Sequence, residues 1–89
     1  MKMRNDDIRK ITEIKQYLLD PPVSFKLREY ALQHMQNATT VLSAYPEAED
    51  VKNYLGDLLE EIEAKNIPPE QLRNLLKQAG IQISTLTNK

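Results

Sequence analysis

Side chains able to do chemistry are few in this chain, and their spacing gives them little to do together. His34 is the only histidine in 89 residues, and there is no cysteine. A zinc centre gathers several histidine, cysteine or carboxylate ligands. One or two helical turns from His34 stand Tyr30, Leu27, Ala38 and Val41, none of which is a metal ligand. A nucleophilic triad would need a serine and an orienting acid brought to His34 by tertiary structure alone. His34 therefore reads as a boundary or surface histidine. Asp57, Glu60, Glu61 and Glu63 lie close in sequence and could supply carboxylates to a metal or to acid–base work. Di-metal helical bundles, however, use Glu-x-x-His pairs on two helices, and the chain has none. The four acids read as a solvated face. With Gly56 and Gly80 the only glycines, no loop can cradle a nucleotide phosphate. The expectation is a protein without catalytic, cofactor-binding or metal-binding residues, and without a small-molecule ligand.

What the sequence does supply is charge asymmetry. Net charge is −1, yet between Glu47 and Glu63 there are seven acids (Glu47, Glu49, Asp50, Asp57, Glu60, Glu61, Glu63) against one base, Lys52. From Lys2 to Lys15, five bases meet three acids, and from Arg73 onward only Arg73, Lys77 and Lys89 carry charge. Such a pattern is either an acidic helix set beside basic neighbours or an acidic face offered to a basic partner. Tyrosine adds a second kind of interaction group. Tyr17 and Tyr45 fall at helix ends, where the ring can pack while the hydroxyl reaches water. Tyr54 lies in the most regular apolar stripe. The candidate interface set is therefore Tyr17, Tyr45, Tyr54, Glu60, Glu61 and Glu63.

These groups must be positioned by helices. Proline interrupts the chain at Pro21-Pro22, Pro46 and Pro68-Pro69, and proline stops a helix or opens one. Between the interruptions, apolar residues recur at helical spacing. The predicted class is all-α: a compact antiparallel four-helix bundle with short proline-containing turns, forming one domain over residues 1–89. Helices are predicted over 6–19, 24–45, 47–65 and 69–79. In the first, Ile8, Ile11, Ile14 or Lys15, and Leu18 share a face, with Asp6 and Asp7 at the favourable end of the helix dipole. Asp20 precedes Pro21 and is pushed out of the α region. The second helix is capped by Ser24. It carries Leu27, Ala31, Met35 or His34, Ala38, Val41 or Leu42, and Tyr45 on one stripe. Its centre, Gln36-Asn37-Ala38-Thr39-Thr40, is weak in helix propensity, so a bend near Asn37 is one expectation. The third has the cleanest stripe: Val51, Tyr54, Leu55, Leu58, Leu59 and Ile62. Gly56 beside that stripe costs helix stability, in exchange for close approach of a neighbour or for nothing. The fourth opens at Pro68 or Pro69 and carries Leu72, Leu75, Leu76 and Ala79. Gly80 then reads as a left-handed C-cap, with Ile81 folding back onto Leu76. The tail, residues 82–89, is left as a frayed end, a short extra helix or an extended arm.

Two resemblances follow from these segments. Leu75, Ala79, Gly80, Ile81, Ser84 and Leu86 are spaced as in the core of a helix-turn-helix, with Leu76 departing where the two helices of that motif touch. On this resemblance residues 72–87 would bind DNA, with Arg73, Lys77, Ser84, Thr85 and Lys89 as contacts. A sequence pI near 5.8 and an acidic third helix disfavour nucleic acid, since phosphate contacts dominate its affinity. Separately, Leu18-Leu19-Asp20-Pro21 and Ile67-Pro68-Pro69-Glu70-Gln71-Leu72 give a layout that resembles the enterocin A immunity type. These are small four-helix proteins that protect bacteria against their own class II bacteriocins. The resemblance spans most of the chain and implies a bundle with a short fourth helix. It implies no particular site residues.

The leading expectation for function is a non-catalytic protein–protein interaction or regulatory module. It would engage a protein partner or form a homodimer, with the Tyr54–Leu58 seam beside Gly56 accepting a helix from the second copy. A DNA-binding regulator and an immunity-type protein are the alternatives. No apolar run approaches the roughly 20 residues of a membrane span, and no apolar leader core follows the charged start from Met1 to Asp7. A cytoplasmic location is expected, and the lack of cysteine fits a reducing compartment.

Overall fold

Proline sets the helix boundaries. A computed structural model of the chain describes residues 2–21 and 26–87. It contains α1 (Asn5–Leu19), α2 (Leu27–Leu42), α3 (Glu49–Ala64) and α4 (Pro69–Thr87), with a 3-10 turn at Pro46–Ala48 before α3. Asp20 and Tyr45 each precede a proline, and both leave the α region, at φ −142°, ψ 68° and φ −126°, ψ 97°. Steric conflict with the proline ring drives this. Pro69 opens α4 at the position where a missing N–H costs nothing. Ser24, predicted to cap α2, lies outside the described residues. The helix itself runs unbroken through Asn37 to Leu42, so the weak centre does not break it.

The fold is an all-α four-helix bundle with no strand among the described residues. Long-range contacts fix its sense. Tyr45 reaches Arg4 and Asp7, and Tyr17 stacks on His34, so α2 runs back along α1. Arg28 reaches Ile62 and Glu63, so α3 runs back along α2. The most extensive packing joins α1 to α4 and α2 to α3. Every helix contributes aliphatic side chains to one core: Ile11, Ile14 and Leu18; Leu27, Met35 and Leu42; Val51, Leu55, Leu58 and Ile62; Leu72, Leu76 and Ile83.

Three expectations need correction. The first concerns Gly80. No described residue has a positive φ, and α4 continues through Gly80 to Thr87. There is no left-handed cap and no folding back of Ile81, which is 44% exposed. The residues that settle the matter lie beyond the glycine. Ile83 continues the spacing Leu72, Leu76, Ala79 and is fully buried, so burial carries the helix past a weak residue. The fourth helix is accordingly the longest of the four, not the short one that the immunity-type layout implied.

The second concerns the two glycines' roles. A methyl group at Gly80 would lie 2.8 Å from Cγ and Cδ2 of Leu19 and 3.3 Å from its backbone nitrogen. Close approach of helices is therefore the business of Gly80, where α1 lies against α4. At Gly56 nothing stands within 4 Å of that position. Gly56 forgoes about 0.5–1 kcal/mol of helix stability relative to alanine and receives no packing in return.

The third concerns α1. Ile8 is 39% exposed, whereas Asp7 is 7% exposed. The buried stripe is Met3, Asp7, Ile11, Ile14 and Leu18, a strict helical spacing with a carboxylate in its second place.

Candidate functional site

The buried acid is explained by its partners. The Tyr45 hydroxyl donates to Asp7 Oδ2, and Arg4 Nε lies 3.4 Å from the same oxygen. The backbone N–H of Arg4 donates to the Tyr45 hydroxyl at 3.1 Å. A buried carboxylate survives only when hydrogen-bonded in this way. The Tyr45 bond is the main cause holding the Asp7 carboxyl below the usual carboxylate range, burial opposes it, and the Arg4 charge adds to it. Tyr45 is thus a tie between the start of α1 and the end of α2.

A pH dependence follows. Because the folded-state value is depressed, the stabilisation is present above the unfolded value of about 4 and is lost as pH falls through the folded one. Tyr45→Phe is expected to lower the melting temperature at neutral pH, and the gap from wild type should narrow below about pH 4. Thermal melts by circular dichroism across the acid range measure this. A gap that stays constant would show that the hydroxyl acts without regard to the charge on Asp7.

At the opposite end of the α1–α2 seam, Tyr17 and His34 stack with ring centroids 3.8 Å apart and planes within 3°. His34 Nδ1 lies 2.8 Å from the Tyr30 carbonyl. A carbonyl only accepts, so Nδ1 carries the proton. The Tyr17 hydroxyl is buried with no hydrogen-bond partner among the described residues. Burial, then Tyr30, raises its pKa above the ordinary phenol value, with Arg73 opposing. His34 is half-buried, as a boundary histidine should be. Among the described residues no group of three or more histidine or acidic side chains is placed to hold a metal ion.

The structure does not gather the six candidate interface residues into one place. Tyr17, near the end of α1, and Tyr45, which reaches the start of α1 from beyond α2, are each engaged within the bundle. Tyr54 packs half-buried against the core. Glu60, Glu61 and Glu63 are exposed; Glu61 pairs with Lys65 at 3.3 Å, and Glu60 and Glu63 have no ion-pair partner among the described residues. The seam expected to receive a second copy is already filled: Leu55 and Leu58 are buried in the protein's own core.

The nucleic-acid contacts fare similarly. With α4 continuous, the turn that a helix-turn-helix requires between its two helices is absent. The Arg73 guanidinium donates to the Pro21 carbonyl at 3.0 Å, tying the start of α4 to the end of α1. The hydroxyls of Ser84 and Thr85 donate to the carbonyls of Ile81 and Gln82, each at 2.7 Å. Lys77 is exposed, and Lys89 lies outside the described residues.

Sequence reasoning missed two arrangements. Arg28 donates to the carbonyls of Ile62 and Glu63 at 3.3 and 3.2 Å. It places a cation where the end of α3 has unpaired carbonyls and partial negative charge. No local pattern announces it. The Asp7–Tyr45 tie did leave a trace, since the spacing 7, 11, 14, 18 puts an acid in an apolar stripe. No helix is long and apolar enough to cross a membrane among the described residues. Comparison of the chain with protein-family models, with curated proteins and with solved structures finds no match.

Proposed function

We propose that the protein is a non-catalytic interaction module that recognises a basic protein partner through the acidic face of α3 and its preceding turn. One observation carries this reading. Glu47, Glu49, Asp50, Asp57, Glu60 and Glu63 are all exposed, and none has an ion-pair or hydrogen-bond partner for its side chain among the described residues. Among the described residues, no basic side chain forms an ion pair with these six acids. Arg4 and Arg9 pair with Asp7 and Asp6, Arg28 with backbone carbonyls, and Lys65 with Glu61. A one-signed field over a helix face steers partners of opposite charge and rejects like ones.

The test is retention of proteins from the native host on the immobilised chain. It compares wild type with a triple reversal, Asp57→Lys, Glu60→Lys and Glu63→Lys. All three sites are exposed, so the melting temperature should hold. The wild type is expected to retain basic proteins that are released as salt rises, since exposed charges are screened beyond about 8–10 Å near physiological ionic strength. The reversed variant should retain none of them. Equal retention by both, or salt-independent retention, refutes the role of the acidic face.

A further inference from the structure

We propose that the groove between α2 and α3 is the docking site for one apolar anchor of a cationic amphipathic helix. This rests on the reading above and locates where that partner is gripped. The groove is open to solvent and measures about 430 Å³. Its apolar surface comes from Leu32 of α2 and Leu59 of α3, and its rims carry Gln33, Gln36, Glu29 and Glu63. Leu32 and Leu59 are only half-buried and rest against the core beneath. Each therefore presents apolar surface outward at a place where the bundle has no further side chain to add. Gly56 stands one turn before Leu59 on α3, with nothing within 4 Å of where a Cβ would lie. An approaching helix would meet no bulk there.

Charge identifies the occupant. Glu29 and Glu63 are exposed without ion-pair partners among the described residues, and Glu60 continues the row on α3. Arg28, next to Glu29 in the chain, is held on the carbonyls of Ile62 and Glu63, where the negative end of α3 offsets its charge. Lys52, one turn before Gly56, is the single base within the acidic stretch. An apolar anchor set among lysines or arginines matches this surface, and one set among acids is repelled. A helix suits it better than an extended peptide, because the described residues offer no strand edge to add to. The second groove, between α1 and α2, measures about 400 Å³ and has Lys10 and Glu13 on one rim. Its mixed sign selects neither kind of partner.

The probe is a synthetic amphipathic helix of about four turns, leucine on one face and lysine on the other, with a glutamate-for-lysine copy as control. Each is titrated into the full, isotopically labelled chain, with amide shifts followed by NMR. The lysine peptide is expected to shift the amides of Leu32, Gln33, Gln36, Leu59 and Glu63 most, and the glutamate peptide none. Glu29→Lys with Glu63→Lys, both at exposed sites, should weaken binding by about tenfold or more. Shifts confined to the outer acidic row, with Leu32 and Leu59 unmoved, would overturn the groove and leave the acidic-face reading standing. Shifts centred on Lys10 and Glu13 would also overturn it. No binding of the lysine peptide at all would overturn both.

Discussion

Leu55→Ala is expected to leave the domain largely unfolded at about 37 °C, since truncating a buried leucine costs roughly 2–5 kcal/mol. A core of this size supplies about 3–5 kcal/mol in total. Leu55 is fully buried, and Leu58, one turn on, is 6% exposed. Both point into the one core formed by the described residues, so the lost contacts have no second layer to relax into. Leu58→Ala should behave alike, with a smaller deficit in proportion to its slight exposure. Circular dichroism at 222 nm and a urea titration measure both. Near-wild-type midpoints for the two variants would mean that the buried face of α3 has been misassigned. The regular stripe of α3 made this prediction possible from sequence, but the core does not depend on α3 alone. The α1–α4 pair is packed more extensively, and Leu76→Ala in the fully buried row of α4 should be comparably damaging.

Gly80→Ala should also destabilise, although a glycine-to-alanine change inside a helix ordinarily stabilises by up to about 1 kcal/mol. The added methyl would sit 2.8 Å from Leu19 Cγ and 3.3 Å from Leu19 N. The side chain can rotate away, but the backbone of α1 cannot without lifting off α4. Overpacking of this kind costs about 1–3 kcal/mol, which exceeds the gain in propensity. Gly80→Leu should cost more. The mechanism is distinguished by a double-mutant cycle with Leu19→Ala. If the clash is the cause, the two changes together should be less harmful than the sum of the separate effects. Strict additivity would refute the contact, and a stabilised Gly80→Ala would show that the helices stand farther apart.

Gly80 also shows where sequence stops being legible. A glycine followed by an aliphatic residue is the local signature of a helix end, and the local signature was wrong. What overrides it is a contact with Leu19, far away in the chain, together with the burial of Ile83 one turn on. Neither is visible in a window of a few residues. By contrast, the ends at Asp20 and Tyr45 were legible, because proline acts on its immediate predecessor by steric exclusion. The choice of Ile14 over Lys15 and of Met35 over His34 follows once a stripe is extended far enough to fix its phase. Asp7 makes the same point: it is in phase with Ile11, Ile14 and Leu18 and is buried, whereas the apolar Ile8 is out of phase and exposed. For the candidate site, the acidity of α3 was plain from composition. The groove was not, because it depends on which α2 residues face which α3 residues.

The close approach of Leu19 and Gly80 has a kinetic side. The α2–α3 hairpin can form across a single short turn, whereas α1 meets α4 only after the whole span between residues 19 and 80 has been closed into a loop. Loop-closure entropy rises with that span, and contacts of long sequence separation are made late on the folding path. The α1–α4 seam is then expected to close last and to part first. Substitutions there should mainly steepen escape from the native state, while substitutions between α2 and α3 should slow arrival. The two limbs of a denaturant chevron report the difference. The lifetime of the folded protein is then expected to depend most on the α1–α4 seam, where the missing side chain of Gly80 lets α1 lie close against α4.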